Sequence, residues 1–196
     1  VIKQPACTAQ TNAGSFGCVK NTIRLRSGLY FDFVDPQPDQ FTLADIAGAL
    51  SKICRFGGQV DMFYSVAEHC WHCSNQGTED QLPPRVQASL LFHDAAEAFC
   101  GDVVKPLKIM LAEYSVIEHR VEKVIAEKFG LDFEHPAIRE IDHAMLIAER
   151  KALFSKDDVE WFGEKEVRIL KPMLRCWGPT GAEQAFIKQA AFFDIT

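Results

Sequence analysis

The chain has 196 residues, 47% of them apolar and 24% charged, with a formal net charge of −6. That length supports one domain with a sizeable core, and the composition excludes a disordered chain, a collagen-like repeat and a coiled-coil rod. The acidic balance argues against a nucleic-acid partner but leaves room for a local basic pocket for phosphates, and no apolar run reaches the ~20 residues of a membrane span.

Residues 1–20 are polar and rich in small side chains, which reads as an arm or tail without the apolar centre of a signal peptide. Residues 21–196 read as a single domain. From Thr22 to Phe33 the sequence alternates around Ser27-Gly28, which predicts a β-hairpin that Asp35-Pro36-Gln37-Pro38 then breaks. Helices follow. Thr42 with Asp45 forms a capping box that opens a helix over Leu43–Cys54. Further helices are predicted over Met62–Asn75, from Pro83-Pro84 to Gly101, over Leu111–Phe129 before Gly130, and from Pro136 to Phe154. Residues 155–180, with Gly163, Pro172, Gly178 and Pro179, read as loop with one short helix, and Ala182–Phe193 as a last amphipathic helix. The expected fold is all-α, a helical bundle with a small N-terminal β-hairpin.

The seven cysteines lack framework spacing and read as reduced thiols, which points to the cytoplasm. Cys70-Trp71-His72-Cys73 has no second Cys/His pair at zinc-ligand spacing, so packing is the better reading of both thiols, and Trp71 and Tyr64 default to core or pocket wall.

The informative feature is where ionisable groups interrupt apolar faces. Met62, Val66, His69 and Cys73 share one helical face, which turns His69 inward. Ile138, Ile141, Met145, Ala148 and Ala152 share another, and Asp142 lies among them. The run Leu90–Phe99 is almost wholly apolar yet carries His93, Asp94 and Glu97. On a helix His93 and Asp94 diverge by ~100° and can grip one ion between them, with Glu97 one turn on. A lone inward histidine is more often a hydrogen-bonded core residue, and a lone aspartate often pairs with an arginine. Three such interruptions on three successive helices are harder to ascribe to packing. Buried carboxylates are costly unless paired or metal-bound, and two imidazoles with two carboxylates suit a first-row divalent ion such as Mn, Co, Fe, Ni or Zn.

In this order, His69, His93-Asp94 and Asp142 resemble the H…HD…D signature of the HD-domain metal-dependent phosphohydrolases. His93-Asp94-Ala95-Ala96-Glu97-Ala98-Phe99-Cys100-Gly101-Asp102, followed by Lys105-Pro106-Leu107-Lys108, resembles the HD-x-x-E-x-x-x-G-D segment of bacterial 5′-deoxynucleotidases. Cys54-Arg55-Phe56-Gly57-Gly58 and Tyr64-Ser65-Val66-Ala67-Glu68-His69 resemble a bacterial and phage branch that includes phage dATP triphosphohydrolases. The resemblance covers roughly residues 22–155. It implies that His69, His93, Asp94 and Asp142 bind the metal and that Glu97, beside Asp94, handles the attacking water or the leaving-group proton. It implies phosphate binding by Arg55, with Lys105 or Lys108 adding charge. Phe56 would lie against the sugar's 2′ carbon, Asp102 would bond the 3′-hydroxyl, and Phe31 of the hairpin would help form the base pocket. Two features depart from the nucleotidases: Phe56 stands where they commonly carry Trp, and the aromatic hairpin is not part of their core pattern.

The implied reaction is cleavage of the 5′ phosphoester of a deoxynucleoside mono- or triphosphate, dATP among the candidates. A triphosphate would bring a second divalent ion, and related enzymes point to a homo-oligomer. Competing readings are hydrolysis of a cyclic nucleotide or guanosine alarmone, a non-catalytic nucleotide-binding module on the same scaffold, and a helical domain with a structural metal.

Overall fold

The computed structural model describes residues 21–154, 161, 164 and 167–196; the expected arm at 1–20 lies outside them. Strand β1 (Thr22–Arg24) pairs antiparallel with β2 (Tyr30–Asp32), Thr22 opposite Asp32 and Arg24 opposite Tyr30. Gly28 closes the turn at φ +94°, a conformation that glycine adopts freely. The pleat turns Phe31 inward, where it stacks on Phe99 at 4.1 Å with Phe33 and Phe41 edge-on to it. Phe31, which the resemblance implied for the base pocket, is fully buried among these rings.

Helix α1 (Leu43–Leu50) opens on the expected capping box, the Asp45 N–H donating to Thr42 Oγ1 at 3.1 Å and the Thr42 N–H to Asp45 at 3.0 Å. Asp45 also accepts from the Ser27 N–H at 2.9 Å, which ties the hairpin turn to the helix. The helix ends before Cys54 because the chain leaves it to pair with the segment preceding the next helix. Arg55 N–H donates to the Tyr64 carbonyl at 2.8 Å and Val66 N–H to that of Ile53 at 3.0 Å. This short ladder sets Arg55 beside helix α2.

Helix α2 (Val66–Glu79) starts later than Met62 because Ser65 caps it, its hydroxyl accepting from the Glu68 N–H at 3.1 Å. Met62 is 57% exposed and off the buried face. At the other end the helix continues through Gly77. A Cβ there would sit 2.6 Å from Leu90 Cδ1, so glycine is what lets α2 and α3 approach.

The single helix expected up to Gly101 is two pieces, α3 (Pro84–Phe92) and α4 (Glu97–Cys100). Between them the backbone tightens to bonds spanning three residues, Ala95 to Phe92 and Glu97 to Asp94. The cause lies in His93. Its Nδ1 takes the Leu90 carbonyl at 2.8 Å, the acceptor that a continuing helix would offer to the Asp94 N–H.

A one-turn helix, α5 (Lys105–Lys108), precedes α6 (Ala112–Phe129), which ends on Gly130 in the left-handed conformation at φ +66°. Helix α7 (Pro136–Leu153) buries Ile138, Ile141, Met145, Glu149 and Leu153, while Ala148 is half-buried and Ala152 exposed, so the inner stripe swings away from the expected one. Residues 167–178 are irregular; the short helix expected between 155 and 180 falls partly outside the described residues, Gly163 among them, and Glu164 lies in a 3-10 turn with its N–H on the Trp161 carbonyl at 3.0 Å. Helix α8 (Pro179–Phe192) begins on its proline, earlier than Ala182.

Ile46, Leu50, Leu91, Phe92, Ile125 and Phe186 centre the main core, joining α1, α2, α3, α6 and α8. A smaller core of Cys73, Leu90, Ile141 and Met145 joins α2, α3 and α7. The architecture is all-α with a small N-terminal β-hairpin, as the sequence predicts. Glu68, fully buried on α2, accepts the N–H groups of Arg175, Cys176 and Trp177 at 2.6, 2.9 and 2.7 Å and so pins the segment that leads into α8. Among the described residues no helix is long and apolar enough to cross a membrane.

Candidate metal centre

Helix α2 carries His69, the turn after α3 carries His93 and Asp94, and α7 carries Asp142; the fold brings all four side chains together. His69 Nε2 lies 3.1 Å from His93 Nε2, 3.2 Å from Asp142 Oδ1 and 3.6 Å from Asp94 Oδ2. His93 Nε2 lies 3.5 Å from Asp94 Oδ2 and 3.6 Å from Asp142 Oδ1. Donors held ~2.0–2.2 Å from one ion are separated by roughly 2.8–3.6 Å in octahedral or tetrahedral arrangements, and these five separations fall within that range.

The protons point the same way. His69 Nδ1 faces Glu149 Oε1 at 2.6 Å, and His93 Nδ1 faces the Leu90 carbonyl. Both partners are acceptors, so Nδ1 carries the proton on each ring and each neutral ring turns a bare Nε2 lone pair inward. With both rings neutral, two lone pairs and two carboxylate oxygens converge. Only a cation, or a proton on the rings, relieves that. Burial opposes charge on both rings, yet the surrounding acidic groups push both well above the usual histidine range. Burial alone would raise the Asp142 carboxyl; the two imidazoles hold it well below its usual range.

Arg55 reaches the same spot from the ladder, its Nη1 3.1 Å from Asp94 Oδ2 and its Nε 3.3 Å from Glu149 Oε2. Burial disfavours its charge, but Glu149, Asp94, Asp142 and Glu97 more than compensate. Glu97, at the start of α4, is pushed well above its usual range by burial first and then by Asp94 and Asp102, and its Oε2 is buried without a hydrogen-bond partner. Asp102 is half-buried and raised by burial. Five carboxyl groups against one guanidinium leave a pocket strongly short of positive charge, the condition a divalent ion corrects.

Phe56, at φ +57°, directs its ring to Phe154 at 5.3 Å and Trp161 at 6.4 Å, with the Arg55 guanidinium 5.6 Å from its centre. Lys108 is close enough for its charge to act on Glu97, Asp94 and Asp102. Lys108 pairs with Glu118 of α6 and lies against Tyr114, and Lys105 is exposed on α5. Cys73 Sγ lies 3.7 Å from His69 Nε2 and 4.0 Å from Nδ1. That near-equality puts the sulfur over the ring rather than out along the Nε2 lone pair, where an ion would sit. A cavity of about 670 Å³ bounded by Trp71, His72, Asn75, Met145 and Arg175 contains none of the predicted site residues.

Sequence reasoning missed Glu149 and gave Tyr64 to the core. The signal for Glu149 was its spacing: it follows Asp142 by seven residues, two helical turns, and so shares its face. Tyr64 is fully buried, and its hydroxyl donates to Glu149 Oε1 at 2.7 Å.

No family model matches the chain. It is 39% identical over 141 residues to the uncharacterized protein YfdR of Escherichia coli K12, an alignment covering 71% of this chain and 76% of that one. It is 30% identical over 181 residues to the uncharacterized protein RCAP_rcc00048 of Rhodobacter capsulatus, covering 83% of this chain and 90% of that one. The chain therefore belongs to the family that includes YfdR.

Proposed function

We propose that the protein is a metal-dependent phosphohydrolase of the HD type that cleaves the 5′ phosphoester of a deoxynucleotide. The observation that carries this reading is the convergence of His69 Nε2, His93 Nε2, Asp94 Oδ2 and Asp142 Oδ1 beside Arg55 and a buried Glu97. A divalent ion bound there would polarise the phosphoryl group and acidify a water. Arg55 binds non-bridging oxygens with its planar fork, exchanging part of its hold on Asp94 for the substrate. Glu97, its carboxyl pushed well above the usual range by burial, supplies the proton that the departing O5′ needs as the O5′–P bond breaks and the water oxygen bonds phosphorus, and the proton that the water gives up returns Glu97 to its acid form by way of solvent. The Phe56 ring walls the sugar, and Asp102 accepts from the 3′-hydroxyl. The same arrangement serves a monophosphate, releasing phosphate, or a triphosphate, releasing triphosphate.

The test is a product assay. Each deoxynucleoside mono- and triphosphate is incubated with the protein and Mn or Co, with the ribonucleotides as controls. A deoxynucleoside plus phosphate or triphosphate is expected, with ribonucleotides slower. Absence of turnover on every substrate by metal-loaded protein would overturn the reading; equal ribo and deoxy rates would remove the deoxynucleotide assignment.

A further inference from the structure

The metal centre and the phosphate-binding arginine share one support. Glu149 is fully buried on α7, and every group that meets its carboxylate is a donor. Oε1 accepts from His69 Nδ1–H at 2.6 Å and from the Tyr64 hydroxyl at 2.7 Å; Oε2 faces Arg55 Nε at 3.3 Å. A seat made only of donors calls for a group that only accepts. Glutamine there could serve His69 and Tyr64 through its carbonyl, but its NH₂ would then meet the Arg55 N–H. The Arg55 contact is of a particular kind. Neither Arg55 Nε nor Glu149 Oε2 forms a directed hydrogen bond, although they are neighbours, so charge holds the guanidinium at Glu149 while its aligned bond runs from Nη1 to Asp94 Oδ2 at 3.1 Å. The Glu149 contact therefore tolerates a shift of the guanidinium toward an incoming anion as the Asp94 bond is exchanged.

We propose that Glu149 is the positioning residue of this site, fixing the tautomer and aim of the metal ligand His69 while holding Arg55 ready for phosphate, so that metal and anion affinity depend on one carboxylate. This rests on the reading of the four-residue cluster as a metal centre. Carboxylates that orient a ligating histidine typically carry 10–100-fold of metal affinity.

The experiment measures binding instead of turnover. Co(II) is titrated into wild-type protein, Glu149→Gln and Tyr64→Phe, followed by calorimetry and visible absorption. Inorganic phosphate is then titrated into each at saturating Co(II). Glu149→Gln is expected to lose ~10–100-fold in Co(II) affinity, to change the cobalt spectrum and to weaken phosphate binding at full metal occupancy. Tyr64→Phe, which keeps the carboxylate, should change each by only a few-fold. A folded Glu149→Gln with wild-type affinities and spectrum overturns the inference and leaves the metal centre standing. Wild-type protein that takes up no ion overturns the metal centre itself. Should Glu149→Gln not fold, nitrogen NMR of the Zn-loaded wild type decides. His69 should show Nε2 bound to the metal and a slowly exchanging Nδ1–H, and a metal on Nδ1 contradicts the proposal.

Discussion

Glu97 differs from Asp94 and Asp142 in what surrounds it. Those two face imidazoles, whereas Glu97 meets burial and two further carboxylates, which push its pKa well above the usual carboxylate range. Glu97→Gln should therefore bind metal as the wild type does and lose ~10²–10⁴-fold in turnover; elemental analysis beside a rate measurement checks both, and a loss of only a few-fold would reduce Glu97 to packing. Phe56 makes a different claim. If its ring excludes a 2′-hydroxyl, the hydroxyl's unpaired burial costs about 1–3 kcal/mol, roughly a 5- to 150-fold preference for deoxy substrates. Phe56→Ala should narrow that ratio more than it slows the deoxy reaction. A lower melting temperature with an unchanged ratio would make the ring simply part of its cluster with Phe154 and Trp161. At this scale the sequence was informative wherever an ionisable residue broke an apolar stripe, as His69 and Asp142 do. It was poor at separating like from like. Nothing in the alternation of β2 distinguishes a ring facing a ligand from one facing Phe99, and Glu149, next to Arg150, reads as ordinary helix surface.

Among the elements, the break after α3 matters most. There the consecutive His93 and Asp94 both lie within 3.6 Å of His69 Nε2, and the tightened turn that follows begins α4 at Glu97. Composition could not reveal that break, because it comes from a side chain, His93, competing for a backbone carbonyl. The start of α1 was legible because its capping box is local. Asp45 in that box also bonds the hairpin turn, and these hydrogen bonds hold its carboxyl below the ordinary aspartate range despite burial. A depressed folded-state pKa contributes stability that is present above the unfolded value and is lost as pH falls through the folded one. Asp45→Asn should thus melt a few degrees lower at pH 7, corresponding to about 1–2 kcal/mol, and the gap should narrow as pH falls below the ordinary aspartate value and close below the folded one. Thermal melts across pH settle it, and a gap that persists unchanged into acid would show that ionisation of Asp45 is not its source.

For the molecule as a whole, an ion bound at this centre would be a cross-link. The four proposed ligands lie on α2, the turn after α3, and α7, segments far apart in sequence that the smaller core also joins. Ion binding only to the folded chain should stabilise it by ~2.7 kcal/mol at a hundred times Kd, raising the melting temperature by roughly 5–10 °C, and chelation should reverse the shift. A melting temperature indifferent to Mn or Co would count against a site formed by folding. The helical class was readable from periodicity alone, whereas the irregular path of 167–178 was not, since it is set by a contact across the chain. That contact is the seating of Glu68 on the amides of residues 175–177. During synthesis α2 leaves the ribosome well before those amides exist, the first of them lying 107 residues further along. Until then Glu68 has only His72 of its own helix beside it, and burying a carboxylate short of partners costs several kcal/mol. A chain that stops short of Trp177 is accordingly expected to seat α2, and the adjacent His69 with it, less firmly, and an ion bound at this centre would be taken up only once this tether is complete.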